Sequence, residues 1–181
     1  MMTWTPLEPP LRQSPQAAAD ERTMLRSWLD FQRATLLGKL AGLSAAQLAI
    51  RAVPPSTMSL IGLLRHSTDG EIALFRAGAL SEDVIYLYGD DTPLGGDFDG
   101  VSADITADSV TTDVRLWLEA CADSRRIEAA IDGLDALGAE QWPGHGPASL
   151  RWVMVHMIEE YARHNRHADL IREVIDGSTG Y

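Results

Sequence analysis

The sequence predicts an all-α protein whose core is a four-helix bundle. Four segments of about 20 to 27 residues carry apolar side chains at helical spacing. Strand-like sequence is confined to a few residues around 84–88. With 181 residues, the chain is long enough to bury one hydrophobic core without a metal ion or a disulfide. A single domain of packed helices is therefore the expected architecture.

The N-terminal region precedes this bundle. Residues 1–18 contain four prolines and little apolar periodicity, which indicates an extended arm before a bundle domain over residues 19–181. Asp20 is a suitable N-cap for the first helix, predicted over about 20–41. The apolar positions of this helix are Met24, Leu25, Trp28, Leu29, Phe31, Leu36, Leu37 and Leu40.

A short helical turn and a second long helix follow. Ser44 and Gln47 have the spacing of a capping box and predict the turn. The long helix is predicted over about 58–79, with Ser56 or Ser59 at its start. The face expected to pack in the core carries Leu60, Leu63, Leu64, Ser67, Ile72 and Phe75.

An irregular acidic segment separates the second helix from the third. Residues 81–105, here called the acidic loop, hold seven acidic residues and four glycines, a composition typical of a surface loop over one end of a domain. The third helix is predicted over about 107–132, with Thr106 or Ser109 as its cap. Its apolar positions are Val110, Val114, Trp117, Leu118, Cys121, Ile127 and Ile131.

The last helix follows a second break, "EQWPGHGPASL", begins at Ser149 or Leu150 and ends before Gly177. Its apolar arc consists of Leu150, Val153, Met157, Tyr161, Ala168, Ile171 and Ile175. We assign the Tyr161 ring to the core, where its hydroxyl group needs a hydrogen-bond partner. The core is also the expected place of Trp28, Trp117 and Trp152.

Composition restricts the class of function. The net charge of -11 opposes binding to nucleic acid or to an anionic membrane, and favours a small or cationic ligand. The start of the chain lacks a signal-peptide pattern, and no apolar run is long enough to cross a membrane, so a cytoplasmic location is expected. The single cysteine, Cys121, is predicted to be a buried packing thiol.

Three residues are candidate metal ligands. His164 falls inside the apolar arc of the last helix, and Glu160 lies at its border one turn earlier. At this i, i+4 spacing the two Cβ atoms are about 6 Å apart, close enough for both side chains to bind one ion. His66, on the second helix, is the candidate for a third ligand.

Each candidate also has a structural interpretation. A lone histidine on an apolar face is more often a hydrogen-bonded core residue than a ligand, and Glu–His pairs at i, i+4 also occur as surface support. The combination of all three in a bundle favours the metal site. His156 and His167 are interpreted as solvated rather than as donors to a ligand, and His145 as a surface residue rather than part of a pocket mouth.

Two segments resemble a known family. "VPPSTMSLIGLLRH", which ends in His66, and "SLRWVMVHMIEEYARHNRHADLIREVIDG" resemble the DinB-like metalloenzyme superfamily, in particular its mycothiol S-transferase branch. The likeness extends over nearly the whole chain from about residue 20. It differs from the usual pattern at Arg166, where glycine is common, and in "STDGEIALF", which is more polar than the usual continuation after the histidine.

The resemblance implies an up-down-down-up bundle that holds a divalent metal, usually zinc or nickel. One ligand comes from the second long helix, and two ligands four residues apart come from the last helix. Many members use three histidines, but the related mycothiol-dependent maleylpyruvate isomerases have glutamate in the middle. The matching residues here are His66, Glu160 and His164, with zinc expected first and nickel or manganese as alternatives.

Three functions follow as hypotheses. The resemblance implies a metal-dependent S-transferase that activates mycothiol or a similar thiol for attack on an electrophile. A hydrolase that uses water at the same metal is the second hypothesis. The third is a structural or ligand-binding bundle without catalysis. A homodimer is a further expectation, and the partners are a small thiol and an electrophile rather than nucleic acid or membrane.

Overall fold

The computed structural model describes residues 11–89, 96–142 and 146–180. Its helices are α1 (Glu21–Leu40), α2 (Ala45–Leu48), α3 (Leu60–Glu71), α4 (Ala107–Ala130) and α5 (Leu150–Asp176), and its strands are β1 (Leu137–Trp142) and β2 (Gly146–Ser149). Helix α3 continues directly into a π-helical segment, Ile72–Ala79. Residues 11–20 form neither helix nor strand, and the remainder of the predicted arm lies outside the described residues.

Side-chain caps set where the helices begin. A hydroxyl or carboxylate at each N-cap accepts a hydrogen bond from a backbone N–H in the first turn and so satisfies a group that has no partner within the helix. The predicted caps Asp20, Ser44, Ser59, Thr106 and Ser149 all have this role. Gly177, with a φ of 77°, ends α5 in the left-handed conformation that glycine adopts without strain.

The four long helical elements pack as an all-α bundle, as the sequence predicts. Helix α1 packs chiefly against α5, and α3 against α4, while α3 also contacts α5. The predicted apolar arc of α5 faces the core, with six of its seven members buried and Ile175 packed against them. The up-down-down-up order of the helices stays a prediction. Among the described helices, none combines the length and apolar character needed to span a membrane.

The short extended segments differ from the sequence prediction. In residues 84–88 no strand forms, because the backbone N–H groups of Leu87 and Tyr88 each donate to the Asp69 carboxylate of α3, both at 2.8 Å. The Pro/Gly-rich break before α5 instead contains the antiparallel pair β1–β2. This hairpin packs against the π-helical segment.

One predicted core residue is exposed. Trp28 is 42 % exposed, so its assignment to the core was wrong, and Leu118, an apolar position of α4, is also exposed, at 48 %. Helical spacing places Trp28 beside the arc of buried leucines on α1, which consists of Leu29, Leu36 and Leu40. The Trp28 ring makes an edge-to-face contact with the Phe31 ring, with centroids 5.9 Å apart. Trp117 is buried, as predicted.

A polar network lies inside the core. The Arg33 guanidinium donates two hydrogen bonds to the Glu71 carboxylate, at 2.7 and 2.6 Å. The predicted need of Tyr161 for a partner is met twice, because its hydroxyl donates to Glu71 at 2.7 Å and accepts from the Trp117 indole at 2.9 Å. Cys121 is buried beside the same carboxylate, as a packing thiol. The residues of this buried polar network therefore supply hydrogen-bond partners to one another.

Two glycines allow a paired test of this packing. A Cβ at Gly138 in β1 would overlap the backbone carbonyl of Gly78, whereas one at Gly70 in α3 meets only Met157, at 3.6 Å. We expect Gly138→Ala to lower the free energy of unfolding by about 1–3 kcal/mol, because two backbones must separate. Gly70→Ala should raise it by about 0.5–1 kcal/mol, because alanine is the better helix former. Urea denaturation measures the free energy of unfolding of both variants. Equal changes in the two variants would contradict the close contact between the hairpin and the π-helical segment.

Candidate metal centre

The contact between α3 and α5 brings three potential metal ligands together. His66 lies in α3, and Glu160 and His164 lie one turn apart on α5. The Glu160 carboxylate oxygen Oε2 is 3.8 Å from His66 Nε2 and 3.4 Å from His164 Nε2. One potential ligand atom from each residue lies within 4.8 Å of the other two. The side chains are partly exposed, at 35, 23 and 12 % for His66, Glu160 and His164, so solutes have access to them.

These separations fit a divalent metal ion. Ligand atoms bound tetrahedrally at 2.0–2.2 Å are about 3.4 Å from each other. Both distances to Glu160 Oε2 lie near that value, and the two imidazole rings, with centroids 4.6 Å apart, meet at 62° without stacking. Two imidazoles and one carboxylate are also a donor set found in catalytic zinc sites, which keep a further position for water or substrate.

The described part of the acidic loop supplies two neighbours that were not predicted from the sequence. Asp97 Oδ2 lies 2.9 Å from His66 Nδ1, and the Phe98 ring stacks on the His66 ring with centroids 5.2 Å apart. Phe98 also approaches His164, at 6.3 Å between centroids. The only sequence signal was the acidity of the loop and its predicted place over one end of the bundle, and neither selects one carboxylate among seven.

His167 contacts a candidate ligand, in contrast to its interpretation as a solvated residue. Its Nδ1 lies 3.3 Å from Nδ1 of His164. If His164 Nε2 binds a cation, the proton of that ring lies on Nδ1, which then donates to His167. The i, i+3 spacing on α5 accounts for this contact.

The two candidate histidines have opposite pKa shifts. The hydrogen bond to Asp97 raises the pKa of His66 by more than burial lowers it. Burial, followed by repulsion from His66, lowers the pKa of His164 to about 4. His164 is therefore neutral at pH 7, the form in which an imidazole binds metals.

A second acidic group on α5 is better explained as a surface ion-pair network. His156, Glu159 and Glu160 also place ligand atoms within 4.8 Å of one another. However, the Arg163 guanidinium forms ion pairs with both carboxylates on the exposed side of the helix and so already offsets part of their charge. Glu160 uses Oε1 for this pair and presents Oε2 to the histidines. The predicted surface position of His145 lies outside the described residues.

Comparison with known proteins identifies one family. The family model described as mycothiol-S-transferase matches residues 24–177, which is most of the chain. The match covers both segments on which the sequence resemblance rests and confirms that resemblance. A search of curated proteins finds no match.

Proposed function

The chain belongs to the mycothiol-S-transferase family, and on that premise we propose that it is a metal-dependent enzyme that joins a small thiol to an electrophile. The observation that carries the proposal is the convergence of His66, Glu160 and His164 between α3 and α5. The thiol we propose is mycothiol or a close analogue, since the family is named for it.

His66 and His164 would hold the metal through Nε2, and Glu160 through Oε2. The negative charge of Glu160 offsets part of the charge of a dication, while the two neutral imidazoles complete a three-donor set. Zinc is the metal we propose for these donors, with nickel or manganese as alternatives. When bound, the cation lowers the pKa of a thiol at its open position, so that the thiol is present as the more nucleophilic thiolate.

The residues around this set would orient the reactants. Asp97 and His167 contact the Nδ1 atoms of the two histidines, and the Phe98 ring stacks on the His66 ring. In the reaction, a sulfur–carbon bond forms to the electrophile and the bond to its leaving group breaks. The thiol proton passes to solvent and the leaving group departs with the bonding electron pair, so no oxidant or reductant is needed.

A thiol-consumption assay with mycothiol and a haloarene or bimane electrophile tests the proposal. We expect protein loaded with zinc to consume thiol and electrophile in equal amounts, because both enter one thioether product. Removal of the metal or His164→Ala should lower the rate by about 100-fold or more, because the cation contributes several kcal/mol to activation. Thiol loss that is unchanged in His164→Ala contradicts the mechanism. Ester or amide hydrolysis without thioether formation would favour the hydrolase. Absence of any turnover would favour the non-catalytic bundle.

A further inference from the structure

Among the described residues of the acidic loop, the Asp97 carboxylate contacts the candidate metal centre. Asp97 Oδ2 is 2.9 Å from His66 Nδ1, on the side of the ring opposite to the Nε2 atom that approaches Glu160. We propose that Asp97 is a positioning residue, which fixes the tautomer and orientation of His66 so that Nε2 is free to bind the metal. The proposal rests on the proposed function, because it assigns Asp97 a task toward the same cation.

The chemistry of imidazole explains why a partner at Nδ1 matters. A neutral histidine carries one ring proton, and the nitrogen without it is the one that binds a metal. A carboxylate at 2.9 Å accepts a hydrogen bond from Nδ1 and so keeps the proton there. The lone pair of Nε2 then points toward Glu160. The negative charge of Asp97 also increases the electron density on the ring, which strengthens it as a donor.

Asp97 is itself held in place by its own segment. Its Oδ1 accepts a hydrogen bond from the backbone N–H of Phe98 at 2.6 Å, which leaves Oδ2 for His66. Although burial opposes ionisation, the hydrogen bonds from His66 and Phe98 keep the pKa of Asp97 below its usual value. The carboxylate is therefore ionised at neutral pH and acts as an acceptor.

The loop backbone is also attached to the bundle by contacts that do not involve the Asp97 side chain. A Cβ at Gly62 in α3 would lie 3.0 Å from the Asp97 carbonyl oxygen, so the two backbones pack closely. The Arg51 guanidinium donates to the carbonyl oxygens of Phe98 and Asp99, at 3.2 and 3.1 Å. Substitution of the Asp97 side chain should therefore leave the loop in place and remove only the contact to His66.

Three variants separate positioning from a general effect on folding. Asp97→Ala removes the acceptor, and Asp97→Asn keeps a neutral acceptor of the same shape. Asp104→Ala removes an exposed carboxylate from the same loop and serves as the control. Zinc affinity is measured by chelator competition. Asp97→Ala should bind zinc about 10- to 100-fold more weakly than the wild type, Asp97→Asn should recover part of the loss, and Asp104→Ala should not differ from the wild type.

A second measurement needs no metal. Nitrogen-15 NMR of metal-free protein, recorded above the pH at which the His66 resonances stop titrating, reports which ring nitrogen carries the proton of the neutral ring. We expect Nδ1–H for His66 in the wild type and a mixture of tautomers in Asp97→Ala. Nε2–H in the wild type, or zinc affinity of Asp97→Ala within twofold of the wild type, overturns the proposal. If the wild type binds no metal, the proposed function fails, while the tautomer still tests the role of Asp97.

Discussion

Glu160→Gln is expected to lose most metal binding, while Glu159→Gln keeps it. Glu160 Oε2 faces both histidine Nε2 atoms, so the substitution replaces the one anionic donor of the site with a weakly binding amide. Because carboxylate, unlike a neutral amide, is a usual zinc ligand, we expect affinity to fall by about 100-fold, which corresponds to about 2.8 kcal/mol. Metal analysis of protein purified without a nickel column, followed by chelator competition, measures the effect.

Glu159→Gln is the matched control because Glu159 is adjacent in sequence and pairs with the same Arg163. Of the two groups of potential ligands, Glu159 belongs only to the one formed with His156 and Glu160. Equal losses in the two variants would place the metal at that group and contradict the site between α3 and α5. Loss of the thermal shift on adding zinc in Glu160→Gln alone would agree with our assignment.

Arg33→Met is expected to lower the free energy of unfolding by about 3–5 kcal/mol, because it leaves the Glu71 carboxylate buried without its ionic partner. Arg33 and Glu71 are almost completely buried and form two hydrogen bonds with each other. Urea denaturation at pH 7 measures the loss. Arg115→Met, which breaks an exposed ion pair with Glu119 at 2.7 Å, is the control and should cost less than about 0.5 kcal/mol.

The effect of Arg33→Met should depend on pH. In the wild type, burial would raise the pKa of Glu71, but the attraction and hydrogen bonds of Arg33 hold it below the usual value. Ionised Glu71 therefore contributes stability above the unfolded-state pKa, and this contribution is lost as the pH falls through the folded-state pKa. Without Arg33 the folded-state pKa rises above the unfolded value, so protonation at low pH relieves the penalty. A difference from the wild type that is as large at pH 4 as at pH 7 would contradict this account.

The helices were predictable because their signals are local. A cap such as Asp20 or Ser149 and the N–H group that it accepts from lie three residues apart, so a short stretch of sequence contains the interaction. Periodicity also separated the inner and outer faces of α5. It was wrong for Trp28, because an apolar residue beside a buried arc still has the correct spacing. It also missed the β1–β2 hairpin, whose register depends on pairing across the chain.

The sequence by itself determined the all-α class, the helix starts and the three residues that meet between α3 and α5. Spacing on one helix joined Glu160 to His164, His66 on the second long helix was the candidate for a third ligand, and the family resemblance supported the same three residues. Only the tertiary structure decided that Asp97 contacts His66 and that Arg33 pairs with Glu71. These partners are 31 and 38 residues apart and lie on different elements. Their contacts depend on how the elements pack, and no periodicity within one segment encodes that arrangement.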